Sequence, residues 1–325
     1  MKKGILEKLA EGTVLGDGGY LLELEKRGYV QAGPFTPEVS LTNPEALEQL
    51  HREFIRAGAE VIQTLTFYAS EDKLATVGLA GKVQDINRAA VRVARNAVDG
   101  TDVLIAGNLS LTWAYDPKDS KSPDHVRELF DRQIEIQVQE GVDFIIGETF
   151  SWLEEAILCV ERIKKAGLPA MVTLCFEATP LCYEGYPPAE CARRLVDAGA
   201  DIVGVNCLRN PVQTLPLVRE MREAVSIPVA CQPTAYRTPA DKPDFTSLPD
   251  FPFALDPLQL TREEMARYAF EAREMGINYI GSCCGSVAAH VREMARALEK
   301  IPVAQRAWKS KTGKPMSAYE YYGHE

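Results

Sequence analysis

Ile202-Val203-Gly204-Val205-Asn206-Cys207 is an apolar run without polar alternation, closed by an asparagine and a cysteine. A strand wetted on one face alternates apolar and polar residues. A strand buried on both faces does not, and such strands belong to parallel sheets covered by helices. Seven other runs share the pattern: Thr13-Val14-Leu15-Gly16-Asp17, Glu60-Val61-Ile62-Gln63-Thr64-Leu65-Thr66, Asp102-Val103-Leu104-Ile105-Ala106-Gly107, Asp143-Phe144-Ile145-Ile146-Gly147-Glu148, Ala170-Met171-Val172-Thr173-Leu174-Cys175, Ile227-Pro228-Val229-Ala230-Cys231 and Asn278-Tyr279-Ile280-Gly281. Between them lie amphipathic stretches of helical period, among them residues 83–98, 126–140 and 190–198. Pro44 behind Thr42-Asn43 marks the first turn of a capped helix. Thr261-Arg262-Glu263-Glu264 reads as a capping box opening the helix before the last strand. Eight buried strands alternating with helices predict a single α/β domain, a (β/α)8 TIM barrel. A doubly wound open sheet is the alternative, but a count of eight favours closure. The barrel is assigned to residues 1–303, with 304–325 as a short tail, basic and then Tyr-rich. Residues 235–260, rich in Pro and carrying Phe245, Phe251 and Phe253, are expected to form a long ordered loop over the barrel mouth.

Among the 325 residues acidic groups outnumber basic ones, for a net charge of −10, and no basic stripe offers a seat for nucleic acid. No run approaches the roughly 18 apolar residues of a membrane span. Met1-Lys2-Lys3-Gly4 is followed by no apolar segment, so a secretory signal is not expected and the cytoplasm is. Eight cysteines in such a chain point to reduced thiols in metal or catalytic use.

Gly281-Ser282-Cys283-Cys284-Gly285-Ser286 carries the strongest chemical signal. Adjacent cysteines close a disulfide with each other only under strain. Two thiolates ahead of a helix N-terminus can instead hold a soft cation. Cys207 supplies a third sulfur, leaving the fourth tetrahedral position open, as a catalytic zinc requires. The other reading is that all three are small buried hydrophobes. Barrel chemistry sits at the C-terminal ends of strands. That rule gathers Asp17-Gly18-Gly19, Thr64 to Tyr68, Glu148, Asn206-Cys207, Gln232 and Cys283-Cys284, with the cysteines expected at one level on strands six and eight, taken as neighbours. Cys159 and Cys191 fall in helices, Cys182 in a loop, and Cys175 and Cys231 at strand ends as weaker metal candidates. Asp17 and Glu148 read either as helix caps and loop acceptors or as holders of a cationic amine. Phe67, Tyr68, Phe35 and Trp113 read as packing or as an aromatic box for a quaternary ammonium or sulfonium.

Gly16-Asp17-Gly18-Gly19, His51-Arg52-Glu53-Phe54, Gln63-Thr64-Leu65-Thr66-Phe67-Tyr68-Ala69-Ser70-Glu71-Asp72-Lys73, Gly204-Val205-Asn206-Cys207 and Gly281-Ser282-Cys283-Cys284-Gly285 resemble the homocysteine S-methyltransferase family, most closely its betaine-using branch. The likeness runs from Lys3 to about residue 300. It implies a zinc barrel that methylates the thiol of L-homocysteine to give methionine, from a betaine-type donor such as glycine betaine. It implies Cys207, Cys283 and Cys284 as zinc ligands, acting in catalysis with Glu148. Asp17, Gly18, Thr64 and Glu148 would hold the amino-acid part of homocysteine, and Tyr68 would belong to the donor pocket. Asn206, Phe35 and Trp113 are added from their positions as candidate substrate contacts, with Trp113 replacing the aromatic face lost at Phe35. The chain departs from the betaine-using pattern at Phe35, where a Trp is usual, and at Thr149, where a Tyr is usual. The oligomerisation arm of the animal members is shortened, so a homo-oligomer remains an expectation without a stated size.

Three rivals stand beside this reading. One is the same transfer from S-methylmethionine, dimethylsulfoniopropionate or another betaine. A second is a metal-dependent lyase, which would favour His or oxygen ligands; His51, His125, His290 and His324 show no metal spacing. The third is a non-catalytic zinc- or thiol-sensing module.

Overall fold

The computed structural model describes residues 2–301, so the tail at 304–325 lies outside the described residues. Eight strands form one sheet: β1 (Val14–Leu15), β2 (Val61–Gln63), β3 (Leu104–Ser110), β4 (Phe144–Phe150), β5 (Ala170–Leu174), β6 (Ile202–Asn206), β7 (Val229–Gln232) and β8 (Tyr279–Ile280). All pairs are parallel, in the order β1-β8-β7-β6-β5-β4-β3-β2, with helices between the strands. This is the expected (β/α)8 barrel, and the open-sheet alternative falls. The seam between β1 and β2 closes partly through side chains. Glu60 N–H donates to the Leu15 carbonyl at 2.8 Å, while the Glu60 and Asp17 carboxylates accept Leu15 N–H at 2.9 Å and Gln63 N–H at 2.7 Å. Lys300 pairs with Glu60 at 2.6 Å and holds that carboxylate in place.

Inside the barrel, Val14, Val61, Leu104, Phe144, Ile146, Met171, Ile202 and Tyr279 pack with Ile5 and Leu9 of the helix Ile5–Glu11, which plugs the N-terminal end. A larger cluster, with Phe54, Val91, Phe130, Leu195 and Val291, welds strands to the surrounding helices. The apolar filling stops below the C-terminal strand ends, and polar and sulfur side chains take over. The helix Val83–Val98 matches expectation, whereas those predicted at 126–140 and 190–198 are Ser122–Glu140 and Pro188–Asp197. Both begin earlier because a proline fits the first helical turn, where its missing N–H costs nothing.

The capping box is present: Glu264 N–H donates to Thr261 Oγ1 at 3.2 Å and Thr261 N–H to the Glu264 carboxylate at 2.7 Å. Asn43 occupies the N-cap of Pro44–Ala57, but its side chain makes no capping bond. Residues 235–260 are ordered over the mouth, with short 3-10 turns at Phe245–Ser247 and Asp256–Leu258. Tyr236 stacks on Phe245 at 5.2 Å there, and the loop packs against Leu22 and Cys207. Among the described residues no helix is long and apolar enough to cross a membrane.

Candidate active site

A cavity of about 530 Å³ opens at the C-terminal face of the barrel. Its floor carries the three cysteines. Cys207 Sγ lies 3.8 Å from Cys284 Sγ, which lies 4.0 Å from Cys283 Sγ, and all three are within 4.8 Å of one another. Thiolates bound at about 2.3 Å at tetrahedral corners stand roughly 3.8 Å apart, so the spacing fits one zinc ion. Among the described residues this is the only such group of candidate ligands. Cys175 and Cys231 stay outside it: Cys175 contacts Ser151 Oγ at 3.3 Å, and Cys231 is buried on β7. All eight cysteines are free. Sulfur–sulfur hydrogen bonding holds Cys207 well below the ordinary thiol range and pushes Cys283 and Cys284 well above it.

The strands six and eight that supply these sulfurs are not neighbours, because β7 lies between them. Side chains of one barrel layer come from alternate strands, so the same level is reached from β6 and β8 without adjacency. The β7 backbone joins them, since Gln232 and Pro233 carbonyls accept Cys207 N–H and Cys283 N–H at 2.9 Å each. On the β1 side, a Cβ at Gly19 would stand 2.8 Å from the Cys283 carbonyl, so only glycine permits this approach.

Backbone strain concentrates here. Of the non-glycine residues with positive φ among those described, Thr149 (63°), Cys207 (58°) and Leu208 (53°) line the cavity. A β-branched threonine in the left-handed region costs about 1–3 kcal/mol and needs fixed partners. Asn206 supplies them: Thr149 N–H donates to its Oδ1 at 2.8 Å, and its Nδ2 donates to Thr149 Oγ1 at 2.7 Å. The same Nδ2 reaches Glu148 Oε2 at 3.1 Å. Expected at the strand end, Glu148 instead sits at a register shift within β4, which runs on to Phe150; such irregularities re-aim a side chain.

Glu148 lines the cavity, and its other oxygen accepts Asn108 Nδ2 at 2.6 Å. Burial, with the negative charges of Cys207 and Asp17 adding to it, pushes its carboxyl up to about 8. Asp17 is buried behind the wall and does not line the cavity. Tyr20 Oη and Gln63 N–H donate to its Oδ2 at 2.5 and 2.7 Å, and burial pushes it up to about 6. Tyr20 oxygen lies 3.0 Å from His51 Nδ1, and burial lowers His51 to about 3, so the imidazole is neutral.

Gly18, Thr64, Tyr68, Trp113, Glu148 and the three cysteines therefore share one cavity. Asn206, like Asp17, works one layer behind it. Phe35 is not among the lining residues: it opens a 3-10 turn, Thr36–Glu38, with its ring partly exposed. Three of the four aromatics, Phe67, Tyr68 and Trp113, come together at the cavity. Phe67 and Tyr68 meet at 4.9 Å and Tyr68 and Trp113 at 6.0 Å, but the cation beside them belongs to the protein. Lys73 Nζ lies 5.0, 5.1 and 5.7 Å from the Phe67, Tyr68 and Trp113 ring centres. Lys73 and Asn108 are the site residues that sequence reasoning missed. Asn108 could have been found from its place on a strand facing Glu148; Lys73 closes the family-like stretch ending Glu71-Asp72-Lys73, but nothing in that stretch marks it as buried beside the site.

A buried carboxylate, Glu148, beside three sulfurs suits a substrate with a cationic amine and a soft nucleophile, and comparison with known proteins agrees. Residues 14–298 match the family model of homocysteine S-methyltransferase. Betaine–homocysteine S-methyltransferase 1 of Mus musculus is 47% identical over 91% of this chain and 75% of its own length. S-methylmethionine–homocysteine S-methyltransferase of Pongo abelii is 42% identical over 91% of this chain and 82% of its own. The metallated form of the homocysteine methyltransferase MmuM from Escherichia coli superposes with a TM-score of 0.73, at 20% identity, covering 90% of this chain and 99% of that one, a likeness of fold. The fold and the matches define a methyltransferase. The chain belongs to the homocysteine S-methyltransferase family.

Proposed function

We propose that the protein is a zinc-dependent enzyme that moves a methyl group from a betaine-type donor, glycine betaine first, to the thiol of L-homocysteine. The products are methionine and the demethylated donor. The observation that carries this reading is the sulfur triangle beside a buried carboxylate in one cavity. Cys207, Cys283 and Cys284 would hold the zinc, which when bound keeps a substrate thiol ionised near neutral pH, where a free thiol of pKa about 8.5 is mostly protonated. Glu148 receives the substrate ammonium, an opposite charge that returns its raised carboxyl to the ionised form. Asn108 and Asn206 fix its two oxygens, while Thr64, Gly18 and Ser282 offer neutral polar groups to the substrate carboxylate. Asp17 supports this wall from behind. Tyr68 and Trp113 bound the donor half of the cavity, and the loop at 235–260 excludes water. A tertiary amine or thioether leaves without a proton, so no general acid is required, and alignment of methyl carbon and sulfur dominates the rate. Eight free cysteines fit a reducing, cytoplasmic setting.

A second reading keeps the thiol chemistry and changes the donor. The 42% identity to a relative named for S-methylmethionine favours testing it. The experiment is methionine formation by reduced, zinc-loaded protein with homocysteine and glycine betaine, dimethylsulfoniopropionate, S-methylmethionine or S-adenosylmethionine in turn. Turnover with glycine betaine supports the first reading, and turnover with another onium donor alone moves it to the second. Absence of turnover with every donor overturns both.

A further inference from the structure

Lys73 is fully buried, and its hydrogen-bond partners are neutral: Ser110 Oγ at 2.8 Å and the Phe67 carbonyl at 3.3 Å. A buried ammonium without a paired carboxylate is costly, and such groups gather at functional sites. The nearest acids serve the backbone. Asp72 accepts Trp113 N–H at 2.8 Å, and Glu155 accepts Thr112 N–H and Oγ1–H at 2.6 Å each. Burial pushes Glu155 up to about 7 and Lys73 down to about 8, which leaves the lysine mostly charged at neutral pH.

Among the described residues the cavity lining holds Glu25, Glu148 and three cysteines, and no lysine, arginine or histidine. The cavity side is thus negative at the cysteine floor, while a cation beside the site, Lys73, stands behind the Phe67–Tyr68–Trp113 wall with Asp72 and Glu155 as nearby anions. Those rings already face one cation, so a second cation beside them meets repulsion from Lys73.

We propose that Lys73 is a specificity-determining, positioning residue that selects zwitterionic methyl donors, orienting their carboxylate toward the aromatic wall and their onium end toward the sulfurs. This rests on the onium-donor reading above. It predicts that a donor stripped of its carboxylate is discriminated against even when its cation is unchanged.

The test is calorimetric binding to the zinc- and homocysteine-loaded enzyme, using glycine betaine or dimethylsulfoniopropionate, whichever supports turnover, and the uncharged amide of the same compound. Wild type should bind the carboxylate form at least about tenfold more tightly than the amide. Lys73→Gln, which can still hydrogen-bond Ser110, should bring that ratio to within about twofold while homocysteine affinity stays unchanged. A ratio unaltered in Lys73→Gln overturns the proposal, as does equal loss for both ligands, the mark of a merely collapsed wall. Should the variant fail to fold, a wild-type ratio near one overturns it as well. Wild-type turnover is measured separately, so failure of the onium-donor reading appears as no methionine from any donor.

Discussion

The two ends of the cavity are built on opposite principles. At the cysteine end, strained backbone and neutral hydrogen-bond donors hold negative groups: Asn108 and Asn206 grip Glu148, and Tyr20, itself touched by neutral His51, grips Asp17. At the aromatic end, a buried positive charge stands behind apolar rings with only neutral partners. The difference teaches how one small cavity can seat two substrates. In the proposed reading the first end presents Glu148 to a cationic amine. In the same reading the second end acts through field and shape, so its selectivity can shift with few substitutions, and relatives named for two different donors match this chain at 47% and 42% identity.

The largest effect should come from the cysteine floor. Cys207→Ala removes one of three sulfurs, and both bound zinc after dialysis and methionine formation should fall to background, a loss above about 10³-fold. Full turnover in that variant would break the comparison at its root. Next is Glu148→Ala, which leaves Asn108 and Asn206 without their acceptor. A drop in kcat/KM for homocysteine of about 10²-fold is expected, with donor KM within about twofold of wild type; a donor-selective defect would exchange the roles of the two ends.

Trp113→Ala sharpens the other side. Donor KM should rise about tenfold with homocysteine KM unchanged, because its ring lines the part of the cavity proposed to seat the donor. An unaltered donor KM would remove Trp113 from the pocket.

The smallest effect concerns stability. His51 is buried and neutral with a folded pKa of about 3, against about 6.5 when unfolded. The unfolded chain then binds the extra proton, so His51 contributes stability above about pH 6.5 that is lost as pH falls toward 3. The slope is at most about 1.4 kcal/mol per pH unit. Urea titrations of wild type and His51→Gln between pH 7 and 5 should show a flatter dependence in the variant; equal slopes would mean that the imidazole is not the acid-sensitive group.

Much of this was readable in advance because it depended on neighbours in the chain. The period of the apolar runs set the number and sense of the strands, and the helix at Val83–Val98 followed from its amphipathic spacing. Long-range packing decided the rest. Phe35 was placed by motif, yet its short turn carries it outside the cavity lining. Asn206 was taken as a substrate contact, but the register shift in β4 brings Thr149 and Glu148 onto it instead.

By itself, the sequence determined the barrel and the sulfur triangle. Buried parallel strands and vicinal cysteines leave local marks, and the rule of C-terminal strand ends converts them into a site. Only the tertiary structure decided that Lys73, quoted from the sequence only as the end of a family-like stretch, is buried beneath three rings. Its environment is made by Ser110, Phe67 and Trp113 on other segments, and burial of a charge depends on what the fold brings around it.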